Sequence, residues 1–191
     1  MEYIYYDLRL SRERTAQKAL FDHVQAALGA KAVGVFAPLL GFASDEVLVL
    51  TDATAAPDAM AKAPGVVLAE RRRLTPTIRP KDGDRPQGGG IYVHNWFTVD
   101  ATGFDEFVKL SGEAWPDFEA RFEAKIFGLF AAEATGDDVH HGQRRLLLMT
   151  RYRDLGEWQK SRDPTTDAMK VFARRRELTR VSLARACVLM A

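Results

Sequence analysis

The chain is short of cysteine, of net charge and of long apolar runs, and each shortage excludes something. Its one cysteine, Cys187, can form neither an internal disulfide nor a multi-cysteine metal site. It stands in the apolar run 184–190 and is expected to be a buried strand residue. Lys and Arg number 27 against 26 Asp and Glu, a formal charge of +1, so no global field draws the protein to nucleic acid or to an anionic membrane. The arginine runs at 71–73 and 174–176 are expected to be solvated faces. No apolar run approaches the ~20 residues that span a bilayer, and the opening MEYIYYDLRL lacks the charged-then-apolar order of a signal peptide. The expected location is the cytoplasm. His-Glu-x-x-His, Cys-x-x-Cys, Gly-x-Ser-x-Gly and Walker patterns are all missing, so metalloprotease, zinc-finger, α/β-hydrolase and P-loop readings lack support. No metal site and no cofactor are predicted from motifs. His140 and His141 are adjacent on a polar loop, where their rings point apart, and are expected to be exposed.

What is present is a repeated order of elements. Tyr3–Leu10 alternates as a strand, with Ile4, Tyr6, Leu8 and Leu10 on one face and Tyr5, Asp7 and Arg9 on the other. Ala16, Ala19, Leu20, Val24 and Ala27 follow at helical spacing, and Gly29 can close that helix. Strands are expected at 32–40 and 46–51, joined by a hairpin, then a short helix at 55–63 and a strand at 66–74. The segment 75–89 is rich in proline and glycine with no apolar period, as a linker would be. Beyond it the order returns with larger parts. A strand is expected at 91–99, then a helix opened by a capping box at Thr102–Asp105 and interrupted near Pro116. Strands at 125–132 and 146–153, helices at 155–162 and 164–179, and a strand at 181–190 complete the chain.

Short matches support a duplication. Ala19-Leu20 aligns with Phe107-Val108, Gly34-Val35-Phe36-Ala37 with Gly128-Leu129-Phe130-Ala131, residues 48–51 with 147–150, and Leu68-Ala69 with Leu183-Ala184. The offset only grows along the chain, as insertions into a shared frame require. A βαββαβ unit builds a four-stranded antiparallel sheet with its helices on one face, the ferredoxin-like plan, and leaves the other face bare. The expected fold class is therefore α+β: two such repeats, residues 1–75 and 90–191, joined by a linker at 76–89. Their sheets would pack face to face in a barrel closed within one chain. The expected assembly is a monomer or a homodimer.

Tyr6-Asp7-Leu8-Arg9 before a helix, residues 67–77 (VLAERRRLTPT) and Tyr152-Arg153-Asp154-Leu155 resemble the NIPSNAP-type proteins of the dimeric α/β-barrel superfamily. The usual Tyr-Glu-Leu-Arg of that family is here Tyr6-Asp7-Leu8-Arg9. The resemblance implies the barrel but no particular reaction, because relatives include cofactor-free oxygenases, haem enzymes and isomerases as well as members with no assigned activity. Haem enters only by that route.

Two phases are open for the first strand of each repeat. In one, Asp7, Arg9 and Asn95 point into the barrel between Tyr5 and Phe97, a site for a ligand with a carboxylate or carbonyl on an apolar body. In the other, Tyr92, His94, Trp96 and Thr98 face inward, and His94 becomes the candidate general base. The function expected from either is binding of a small, partly apolar ligand between the sheets. The alternative is a non-enzymatic interaction or scaffold module acting through its outer surface, and whether the protein is an enzyme stays open.

Overall fold

The computed structural model describes residues 1–55 and 60–191. Its strands are β1 (Tyr3–Leu10), β2 (Ala32–Leu40), β3 (Glu46–Asp52), β4 (Val66–Pro76), β5 (Ile91–Asp100), β6 (Ala124–Ala132), β7 (Gln143–Tyr152) and β8 (Thr179–Leu189). The helices are α1 (Ala16–Leu28), α2 (Phe104–Arg121), α3 (Gly136–His140), α4 (Leu155–Lys160) and α5 (Asp167–Glu177). The two halves are ferredoxin-like repeats. Helix α1 buries Ala16, Leu20 and Val24 on one stripe and ends at Gly29, whose φ of 51° suits a residue without a Cβ. Helix α2 buries Phe107, Leu110, Ser111, Ala114, Trp115 and Phe118 in the same way.

All neighbouring strands are antiparallel, in the closed order β1-β3-β2-β8-β5-β7-β6-β4. Each repeat contributes a four-stranded sheet, and the sheets join where β2 meets β8 and β4 meets β6. Joining the edges removes the open strand ends that a lone sheet would offer to other chains. Period-two alternation then divides the apolar residues into three clusters. Ile4, Tyr6, Leu8 and Leu10 pack under α1, and Ile91, Val93, Phe97 and Val99 under α2 and α5. Tyr3, Tyr5, Phe36, Leu48, Tyr92, Phe130, Leu147 and Cys187 fill the barrel interior.

The interior keeps the twofold logic of the duplication residue by residue. Gly34 and Gly128 each sit beside a register shift and leave room for the ring two positions on, which a Cβ would approach to 2.8 Å. Phe36 lies opposite Leu48 and Phe130 opposite Leu147; Leu48 in turn lies opposite Asp7 and Leu147 opposite Trp96. Asp7 and Trp96 are thus counterparts, as are Tyr5 and His94, and Tyr3 and Tyr92. Arg72, opposite Tyr5, corresponds to Arg185, opposite His94. Even the ring contacts repeat: Tyr3 meets Phe130 edge-on at 5.4 Å, and Tyr92 meets Phe36 edge-on at 5.2 Å.

Several local expectations change. The short helix expected at 55–63 lies partly outside the described residues, and Met60 to Lys62 form a turn. Helix α2 runs unbroken through Pro116, and its N-cap is Gly103 with no side-chain cap bond, so Thr102 closes no capping box. A capping box forms instead at Thr135 and Asp138, starting α3 inside what looked like a plain polar loop. Helix α5 starts at Asp167, capped by Thr166, and not at 164 as expected. The irregular segment before β5 is fastened to both sheets: Thr77 N–H donates to the Leu129 carbonyl at 2.9 Å, and Arg85 donates to the carbonyls of Ala30 and Ala32.

Candidate ligand-binding site

Packed rings and open space share the barrel. Tyr3, Tyr92, Phe36 and Phe130 plug the middle, and beyond them a cavity of about 340 Å³ opens at the mouth. Tyr5 and Asp7 of β1, Glu70 and Arg72 of β4, and Trp96 and Thr98 of β5 line it, with Arg145 of β7 and Val181, Leu183 and Arg185 of β8. Broken symmetry makes the walls differ. The first repeat places Asp7 and Glu70 where the second places Trp96 and Leu183. One wall is therefore acidic and the other aromatic and aliphatic, with a counterpart arginine on each side.

Those arginines have different partners. Arg185 Nη2 donates to Asp7 Oδ2 at 2.5 Å, its Nη1 lies 3.8 Å from Glu46 Oε2, and its guanidinium sits 4.8 Å from the Phe42 ring. Burial works against the Arg185 cation, but the bond to Asp7 and the electrostatic pull of Tyr5, Asp7 and Glu46 together outweigh it and hold its pKa above the ordinary value. Arg72 lies 5.6 Å over the Trp96 ring and makes no ion pair among the described residues. It is the available cation of the site.

Behind the lining, Tyr5 Oη and His94 Nδ1 are 3.0 Å apart, the two counterparts meeting on the pseudo-twofold axis. Both are buried. Burial, and then the Arg185 charge, push the His94 pKa down to about 3, so the ring is neutral near pH 7. Burial pushes the Tyr5 phenol well above its usual range, with Arg185 pulling the other way. A neutral phenol beside a neutral imidazole is a hydrogen-bond pair, with the phenol O–H donating when Nδ1 is the unprotonated nitrogen. His94 Nε2 is buried without a hydrogen-bond partner.

The six residues singled out from the sequence are scattered. Tyr5 and Asp7 line the cavity. Arg9 is half-exposed at the rim and pairs with Asp45 at 3.6 Å, so the interior Asp–Arg pair is Asp7 with Arg185. Asn95 faces the helices, not the barrel, and lines a separate cavity there. Phe97 borders both cavities, its ring packed 5.1 Å from Phe107 on the helix side. The grouping of Asp7, Arg9 and Asn95 across one cavity does not form. The reason is a slip of one residue, which reverses the face of every side chain in a strand. Asp7 corresponds to Trp96, one position beyond Asn95. His94 faces inward but reaches the cavity only through Tyr5.

Arg72, Arg145, Arg185, Glu70, Val181 and Leu183 escaped the sequence reading. Arg185 carried a usable signal, a lone charge between Ala184 and Ala186 in an apolar strand. Arg72 was hidden in a triplet that looks like a solvated face. Among the described residues, no cluster of His, Cys, Asp and Glu is placed to hold a metal ion.

No protein-family model matches the sequence, and no curated protein is detectably similar to it. Solved structures do match. A candidate monooxygenase from Fusobacterium nucleatum superposes with a TM-score of 0.63 at 12% identity, over 100% of this chain and 92% of that one. The fold is that of the dimeric α/β-barrel proteins. An anthrone oxidase-like protein superposes on this barrel with a TM-score of 0.60 at 12% identity, over 100% and 92% of the two chains. A haem-degrading enzyme from Listeria monocytogenes gives 0.53 at 7% identity, over 95% and 97%. At such identities the likeness concerns the fold alone. No helix of the described residues is long and apolar enough to cross a membrane.

Proposed function

We propose that the mouth cavity binds one small, partly apolar ligand carrying an anionic or carbonyl group, in a NIPSNAP-like α/β-barrel protein. The observation that carries this reading is the two-walled cavity. An apolar body fits against Trp96, Val181 and Leu183, while the polar end meets Arg72 and the Tyr5 hydroxyl. His94 then acts as a positioning residue: it holds the Tyr5 phenol at 3.0 Å and, with a pKa of about 3, is a poor general base at neutral pH. Similar folds described as monooxygenase-like and haem-degrading make a small-molecule site the natural use of the barrel. Haem itself fits poorly here. The cavity presents neither an imidazole nor a thiolate, and its one phenol is already engaged by His94.

The probe for this reading is anilinonaphthalene sulfonate, an aromatic body with one anion whose fluorescence rises in apolar sites. Saturable binding at a single site, weakened at least tenfold by Leu183→Asp and by Arg72→Gln, is the expected result. Absence of saturable binding, or binding indifferent to both substitutions, overturns it. A second reading, an interaction module, is favoured by one observation: Val67, Leu68, Val181 and Leu183 are more than half exposed on the outer halves of β4 and β8. Binding weakened by Val67→Asp and indifferent to Arg72→Gln would favour that module.

A further inference from the structure

Behind the second sheet, between the outer faces of β5 and β7 and helices α2 and α5, lies a separate cavity of about 200 Å³. Its walls are apolar, including Val93, Phe118, Ile126, Leu148 and Phe172, with the Asn95 amide and the Thr150 hydroxyl among them. Three arginines line it as well: Arg162, Arg175 and Arg176. No aspartate or glutamate does.

Arg175 is the anomaly. It is 8% exposed, and its guanidinium donates to a neutral partner, Nη1 to Ser111 Oγ at 3.2 Å. Its guanidinium sits among the rings of Phe97, Phe107 and Phe172, at 5.0, 5.0 and 4.4 Å. Burial pushes its pKa down to about 10; Tyr152 opposes this, while Arg162 and Arg176 add to it. Arg185, Arg79 and Arg145, by contrast, each pair with a carboxylate: Arg185 with Asp7 at 2.5 Å, and Arg79 and Arg145 with Glu119 and Asp138 at 2.7 Å. Neither Arg162 nor Arg176 makes an ion pair among the described residues; Arg162 lies over the Trp158 ring at 4.8 Å. A buried cation without a counter-charge is costly, and ring faces together with the C-terminal end of α5 offset only part of that cost.

The duplication shows that the space is not inherited from the repeat. The first-half counterpart of Asn95 is Tyr6, whose ring packs under α1 with Leu20, Val24 and Met60. Where the first repeat places a ring, the second has a short amide beside a void, and the void is ringed by cations.

We infer that this helix-side cavity is a second ligand site, binding a small organic carboxylate with its anion on Arg175 and its apolar body against Phe118 and Phe172. The volume is about seven waters' share of liquid, enough for a compact aromatic or branched acid and below the usual drug-sized pocket. Arg162 and Arg176, exposed at the rim, draw the anion in and share its charge. The site is independent of the barrel mouth, and the two readings stand or fall separately.

Benzoate is the probe, followed by calorimetric titration and thermal unfolding. Wild-type protein is expected to bind one benzoate and to melt at higher temperature in its presence. Arg175→Met should weaken binding at least tenfold, and the rim double variant Arg162→Gln/Arg176→Gln several-fold. Asn95→Tyr, which restores the first repeat's ring, should fold and lose benzoate altogether; it keeps the test decisive if Arg175→Met fails to fold. Leu183→Asp in the barrel mouth should leave benzoate binding unchanged. No stabilisation of the wild type by millimolar benzoate, or equal stabilisation of wild type and Asn95→Tyr, overturns the proposal.

Discussion

Asp7 shows how a single side chain decides between a site and a scaffold. Its partner is Arg185 from the last strand, so the pair links the two ends of the chain across the barrel. Removing a partner from a fully buried pair costs roughly 3–5 kcal/mol, but Asp7 keeps some contact with water, and a loss of about 2 kcal/mol is expected for Arg185→Met. Arg9→Met should cost less, about 1 kcal/mol or below, because Arg9 is half-exposed and its contact with Asp45 is long at 3.6 Å. Urea unfolding of the two variants checks the order; a larger loss at Arg9 would mean that the wrong arginine has been placed inside.

His94 makes a different prediction. Its folded pKa of about 3 lies below the ordinary 6.5, so below that ordinary value the unfolded chain binds more protons than the folded one. The stability it supports is complete above about pH 6.5 and is lost as pH falls toward about 3, with a slope of at most about 1.4 kcal/mol per pH unit. His94→Phe should flatten the fall in melting temperature between about pH 7 and pH 5, above the range of most carboxylates. An unchanged slope would mean that His94 is solvated and already charged.

At the scale of elements, the sequence carried the order of strands and helices and much of the barrel's logic. Alternation in Tyr3–Leu10 places Tyr5 and Asp7 on the interior face, and Gly34-Val35-Phe36 against Gly128-Leu129-Phe130 is an alignment the registers reproduce. The phase of β5 was not legible, because it is rich in large residues on both faces and buried on both. A match read from the helices placed Asn95 opposite Asp7, and one residue of slip exchanged the two faces. The match of Leu68 to Leu183 slipped as well, since the registers pair Leu68 with Val181 as counterparts. An even slip preserves the face, so that error did no harm to orientation. Arg72 and Arg185 were not legible as a pair because their correspondence exists only once the registers of both sheets are known. The cap at Thr135 and Asp138 was missed because its helix is a single turn.

For the whole molecule, β2 with β8 and β4 with β6 supply within one chain the two seams that close the barrel. The seams are unequal in register, three paired positions at β4–β6 and four at β2–β8, and the chain beyond β4 reinforces the shorter one through Thr77 and Arg79 on Leu129. Rings pack the interior, and around the mouth cavity the two repeats place unlike residues, Asp7 and Glu70 against Trp96 and Leu183, so that a ligand there meets two different walls. The most direct test of that claim is an amide and indole NMR titration with anilinonaphthalene sulfonate. Ligand in the mouth should shift the Trp96 indole signal together with the amides of Leu183 and Arg185, saturating at one equivalent. Shifts confined to Val67, Leu68 and the outer strand edges, with Trp96 unmoved, would contradict a ligand site in the barrel.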